Sequence, residues 1–135
     1  MKRLFIGLLA LSTFALSGCV AVGLTALGVG MATGVSHTLS GMVYKTFTTP
    51  QAQVKHATYG ALNRMQIKVV SSKREGTTEV IRAKASDRDI AIELEALTPN
   101  TTRMTVTAKK DSGILRDGAT ATEVILQTEK LVGTT

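Results

Sequence analysis

The sequence predicts an α+β domain of two layers: an antiparallel sheet of four to five strands with two helices on one face, in the order β-α-β-β-β-β-α. Three observations predict it. Apolar residues recur at helical spacing over residues 50–65 and again over about 115–132. The stretch between them alternates apolar and polar residues with a period of two. The breaks within that stretch are short turns, which join antiparallel neighbours and not parallel ones. The domain is expected at residues 43–135, behind a leader at 1–18 and a glycine-rich tether at 19–42.

A chain of 135 residues holds one domain of this size. Its charges are segregated, because no charged side chain occurs from Leu4 to Tyr44. Of 16 basic and 10 acidic residues, Lys2 and Arg3 leave with the leader, so the mature chain keeps a modest basic excess. An exported domain poor in aromatic residues is a weak candidate for nucleic acid, which is expected to be no partner. A single cysteine allows no internal disulfide, so the core and sheet must hold the fold.

Lys2 and Arg3 make a short positive start, and Leu4 to Leu16 make an apolar run. A permanent spanning helix needs about 20 residues, so this run reads as a secretory leader. Leu16, Ser17, Gly18 and Cys19 follow it, and this tetrapeptide resembles the lipobox of bacterial lipoproteins. The resemblance implies cleavage before Cys19, diacylation of its thiol and acylation of the new amine. Several acyl chains on one residue anchor stably where a single chain anchors marginally. Val20 in place of an aspartate implies sorting to the outer membrane, facing the periplasm. The membrane, reached through Cys19, is thus the first expected partner.

Five glycines between Val20 and Val43 weaken a helix by up to about 1 kcal/mol each, so a tether near the membrane is favoured over a helix built on the Gly30 and Gly34 pair. Gly28-Val-Gly30-Met-Ala-Thr-Gly34 misses the dinucleotide-loop spacing. A short extended piece is expected at Val43 to Thr48. Thr49 as cap and Pro50 at the first helical position signal a helix over 50–65, with Val54, Ala57, Ala61, Leu62 and Met65 on one face.

Four strands carry Ile67 and Val69; Ile81 and Ala83; Ile90, Ile92 and Leu94; and Met104, Val106 and Ala108 on their apolar face. Arg74-Glu75-Gly76 is expected as a three-residue loop. A two-residue loop at Ser86 and Asp87 sets Ala83 against Ile90, Ile81 against Ile92 and Lys84 against Asp89. A loop over Pro99 to Thr101 sets Leu94 against Val106 and Ala96 against Met104. Ala121, Val124, Ile125, Thr128 and Val132 then mark the closing amphipathic helix.

Tyr44-Lys-Thr-Phe and Pro50, Ile81-Arg-Ala-Lys-Ala and Asn100-Thr-Thr-Arg-Met-Thr-Val together resemble an uncharacterised family of small bacterial lipoproteins, the DUF3568 type. These motifs are turn and core residues without chemistry, and the family brings no activity with it. Lys109-Lys110-Asp111 departs from the family's pattern, where more glycine is expected.

Nucleophilic catalysis needs a nucleophile, a base and an orienting group. The only thiol is committed to acylation, and His37 and His56 have no evident partner. Asp87 and Asp89 flank a tight turn and lack the oxygen ligands of a cation loop. Glu93 and Glu95 share a strand face with basic neighbours and read as a solvated surface. No catalytic residue, metal or cofactor is therefore expected. Lys68, Arg82, Lys84, Arg103 and Lys109 fall on one polar sheet face, the expected docking face for another envelope protein. The second expectation is a small-ligand or lipid-binding accessory domain, with a pocket lined by Met65, Ile92 and Met104.

Overall fold

The computed structural model describes residues 35–37 and 41–134. The expected leader, Cys19 with its flanking Leu16, Ser17 and Gly18, and most of the expected tether lie outside the described residues. The elements are β1 (Ser36–His37), β2 (Val43–Phe47), α1 (Gln51–Arg64), β3 (Lys68–Glu75), β4 (Thr78–Ala85), β5 (Arg88–Thr98), β6 (Thr101–Lys110) and α2 (Gly118–Val132). The α+β order expected from the sequence is found, with one addition: the two-residue β1 pairs with β2 inside the stretch read as tether. Val35, just before it, is wholly buried.

All neighbours are antiparallel, in the spatial order β1-β2-β6-β5-β4-β3. β3 to β6 form a meander of consecutive hairpins. β2 lies at its far side against β6, so α1 carries the chain back across the sheet to begin β3. The helices pack on each other, α1 over β5 and β3, α2 over β6 and β2. Between the layers lies a contiguous core, with Ile81, Ile90, Ile92, Leu94, Met104 and Val106 fully enclosed on the sheet side. Val54, Ala57, Ala61 and Leu62 face it from α1, and Ala121, Val124 and Ile125 from α2. Burying each large aliphatic side chain contributes about 1.5–3 kcal/mol, which makes this seam the main source of stability. Two threonines in the seam, Thr58 and Thr128, donate their hydroxyls to Val54 O and Val124 O, both at 2.8 Å, so neither stays unpaired.

The middle hairpin has the expected register: Ile81 with Ile92, Ala83 with Ile90, Lys84 with Asp89. The last hairpin differs from expectation. Its loop is Pro99 and Asn100, Thr98 pairs with Thr101, and a shift between Ala96 and Thr98 then sets Leu94 against Met104 and Ile92 against Val106. Parity explains it. A two-residue loop alone would pair even-numbered apolar residues of β5 with odd-numbered polar residues of β6, and a one-residue bulge at Leu97 restores the match. β3 uses the same device, with a bulge between Val69 and Ser71. The first hairpin loop is Gly76 and Thr77, not the expected three residues, and Gly76 takes a φ of +62° at the first loop position.

The helix boundaries also shift. Pro50, extended at ψ 145°, is itself the N-cap of α1, and no side chain caps there; the carbonyl of Thr49 accepts instead from the Thr102 hydroxyl at 2.9 Å. Gln51 ties the helix start to the sheet by donating to Leu94 O at 2.6 Å and Thr77 O at 2.9 Å. α2 begins at Gly118, three residues later than expected, because Asp117 is its cap: its carboxylate accepts from Thr120 N and from the Thr120 hydroxyl.

Candidate functional site

Among the described residues, no element covers the side of the sheet opposite the helices. Successive residues of a strand point to opposite faces, so the register that buries Ile81, Ile92 and Val106 sends Arg82, Ala91 and Thr107 outward. Lys68, Arg82, Lys84, Arg103 and Lys109 all lie on this outer face, as the alternation predicts. They are distributed unevenly along it. One cross-strand row reads Lys68, Lys84, Asp89, Lys109 from β3 to β6. The Lys84 ammonium lies 3.6 Å from both Asp89 and Asp111, while Lys68 and Lys109 form no ion pair among the described residues. Towards the other end of the strands a row of Glu75, Thr78, Glu95 and Arg103 inclines to negative, with Arg103 3.5 Å from Glu95.

Between these ends the face is hollow. Ala91 and Thr107, the small residues of the central strands, floor a concavity of about 570 Å³ walled by Met42, Val70, Arg82 and Arg116. The sequence reading missed Met42, Val70 and Arg116. Val70 stands out because the β3 bulge turns it away from the core, leaving it 67% exposed. Arg116 is brought in by a bridge to Lys109 and packs so closely on Gly41 that a Cβ there would meet the Arg116 Cβ at 2.9 Å, at a backbone φ of +71° that itself favours glycine. Neither signal is visible as a periodicity.

The inner seam offers no comparable space. Ile92 and Met104 are fully buried in the packed core and Met65 lies against it. A second concavity, about 370 Å³, lies between the helices, lined by Ala52, Gln53, His56, Ala57, Gly60, Leu131 and Thr134. Its surface is mostly apolar, its polar residues are Gln53, His56 and Thr134, and its lining includes no carboxylate. The Glu93 and Glu95 pair is split in role, Glu95 facing Arg103 and Glu93 lying opposite Thr105 and Val80. Among the described residues no group of three His, Cys, Asp or Glu side chains could hold a metal ion, and no helix is long and apolar enough to cross a membrane.

Two carboxylates are held below their ordinary range. Lys55 donates to Glu79 at 2.7 Å, and Ser72 and Arg74 donate to it as well; these bonds, Lys55 first, outweigh the cost of burial. Asp117 is lowered by its two bonds from Thr120 and then by Arg88, whose Nε donates at 2.6 Å. Both groups fasten helices to the sheet, and neither opens onto the hollow face.

A family model described as a protein of unknown function (DUF3568) matches residues 2–110. The match runs from the amino-terminal apolar segment through β6 and ends ahead of α2. No curated protein matches the chain.

Proposed function

Since the chain belongs to the DUF3568 family, whose function is unknown, we propose from its own residues that it is a non-enzymatic envelope lipoprotein, fastened to a membrane through Cys19, whose bare sheet face docks another envelope protein. Leu16 to Cys19 behind an apolar leader support the anchor. One observation carries the docking reading. Lys84 is held by Asp89 and Asp111, but Lys68 opposite it and Lys109 beyond Asp89 form no ion pair among the described residues, which leaves two cations at the ends of one row on the open face. Cations left over in this way suit an acidic surface brought to the face. The fitting partner presents a carboxylate-rich surface with an apolar projection that fills the hollow over Ala91.

The ligand-binding alternative has little support, because the seam that would house a cavity is packed. The test is photo-crosslinking in intact envelopes from Arg82 and Thr107, with Gln53 on the helical face as control. Capture of the same protein from both outer positions and not from Gln53 is expected; reproducible recovery of no protein from the outer face sinks the docking reading. Lys68→Glu should weaken that capture while raising fold stability by about 0.2–1 kcal/mol in urea unfolding, since it pairs with Lys84. For the anchor, Cys19→Ala should stay uncut or become soluble, and a normally processed, membrane-bound alanine form would refute it.

A further inference from the structure

The segment between β6 and α2 has a use that the docking reading does not cover. It forms a compact projection: Gly113 N donates to Lys110 O at 2.7 Å, Lys110 N to Leu115 O at 3.1 Å, Asp117 N to Ala108 O at 2.9 Å and Asp111 N to Asp87 O at 3.0 Å. Gly113, at φ +74°, makes the turn. These bonds hold Ile114 and Leu115 outward, 87% and 61% exposed, the most exposed aliphatic pair of adjacent residues in the described chain. Their surroundings are mixed with a basic excess. Lys109, Lys110 and Arg116 flank them and Lys68 lies at the same end of the sheet, while the four aspartates there, Asp87, Asp89, Asp111 and Asp117, are taken up by ion pairs with Lys84 and Arg88. Among the described residues Lys109 and Lys110 form no ion pair.

An aliphatic pair at the tip of a pinned turn, flanked by Lys109, Lys110 and Arg116 while the nearby aspartates are ion-paired, has the chemistry of an interfacial contact: the apolar tip enters the acyl boundary while the remaining cations meet anionic headgroups. A protein partner would instead call for a hollow to receive the tip, and a floppy loop would not keep both residues raised. We propose that the 111–116 turn of this domain inserts Ile114 and Leu115 into an anionic lipid surface, a second membrane contact independent of the acylation at Cys19. The strands then stand end-on to the bilayer, and the hollow sheet face looks sideways, open to a partner.

The experiment uses the full chain purified from its membranes and reconstituted in vesicles, either an equal mixture of phosphatidylglycerol and phosphatidylcholine or phosphatidylcholine alone. An environment-sensitive fluorophore is placed at Ile114→Cys, at Leu115→Cys or, as control, at Gln53→Cys, and mass spectrometry reports the state of Cys19 in each sample. In the anionic vesicles the labels at 114 and 115 should shift to the blue and be quenched by spin-labelled lipid, with both effects lost in Lys109→Glu/Lys110→Glu and absent at 53. Labels at 114 and 115 that report water in anionic vesicles overturn the inference. So does a shift that needs no lipid and grows with protein concentration, which would assign the tip to a second copy, or one that needs other envelope proteins. A mass without acyl chains refutes the anchor alone, and the turn is then read from the same labels in a Cys19→Ala background, where the introduced cysteine carries the only thiol.

Discussion

Glu79 is a buried carboxylate, 4% exposed, on the helix-facing side of β4, and its three donors come from α1 and β3. The alternation in β4 puts it on the inner face with Ile81 and Ala83, yet an isolated acidic residue at an apolar position carries no signal of its partners, because Lys55 lies on another element. Its pKa is lowered in the folded state, so its contribution is complete above the ordinary value of 4.5 and is lost as pH falls through the folded value. Glu79→Gln should cost about 1–3 kcal/mol at neutral pH, nearer the lower figure because Lys55 remains partly exposed. Urea unfolding of both forms from pH 7 to pH 3 checks this: the gap should close in acid. A gap that stays constant would assign the loss to packing.

At the level of elements, most of the fold was legible because period and turn chemistry agree with the packing. Val54, Ala57, Ala61 and Leu62 are buried where helical spacing puts them, and the middle hairpin has the register that its two-residue loop dictates. Boundaries and bulges were not. The bulge at Leu97 follows from a parity conflict between loop length and apolar faces, which becomes visible only once the loop length is known. Asp117 as a cap was readable, since Asp117-Gly-Ala-Thr120 places a side-chain acceptor three residues ahead of a donor, but Ile114 and Leu115 look helical in isolation. The end of α1 holds a further case. Gln66 N donates to Asn63 O at 3.1 Å and Ile67 N to Leu62 O at 2.8 Å, the paired bonds of a Schellman motif, with Gln66 at φ +57° where glycine is usual. Relieving that strain by Gln66→Gly should raise stability by up to about 1 kcal/mol, read as a higher urea midpoint with unchanged slope. A lower midpoint would mean that the glutamine side chain supports the turn.

Across the whole molecule, the features that matter for a partner arise from juxtapositions that periodicity does not encode. The sequence shows that Lys68, Arg82, Lys84, Arg103 and Lys109 share a face, but sheet order is what sorts basic rows from acidic ones along the strands. The outer edge strand β3 is guarded by Lys68, Lys73, Arg74 and Glu75 and bent by its bulge, which discourages edge-to-edge pairing and leaves the flat of the sheet as the available surface. The place of β2 was the least legible feature, since five residues of alternating pattern fit beside any open edge. Its place beside β6 bears on time. Val43 finds its partner in Val106, and Phe47 in Thr102. At about 5–20 residues per second, β2 waits several seconds during synthesis for β6. The meander from β3 to β6 makes only local pairings and can assemble first, with β2 added as a closing step. Val43→Ala should therefore speed unfolding while leaving the folding limb of the chevron unchanged, whereas Ile92→Val should slow folding. If Val43→Ala slows folding as much as Ile92→Val does, the sheet forms as one event. If it does not, β2 is the last strand to be sealed, and until β6 has been made the domain has an open edge on the side where β2 will pair.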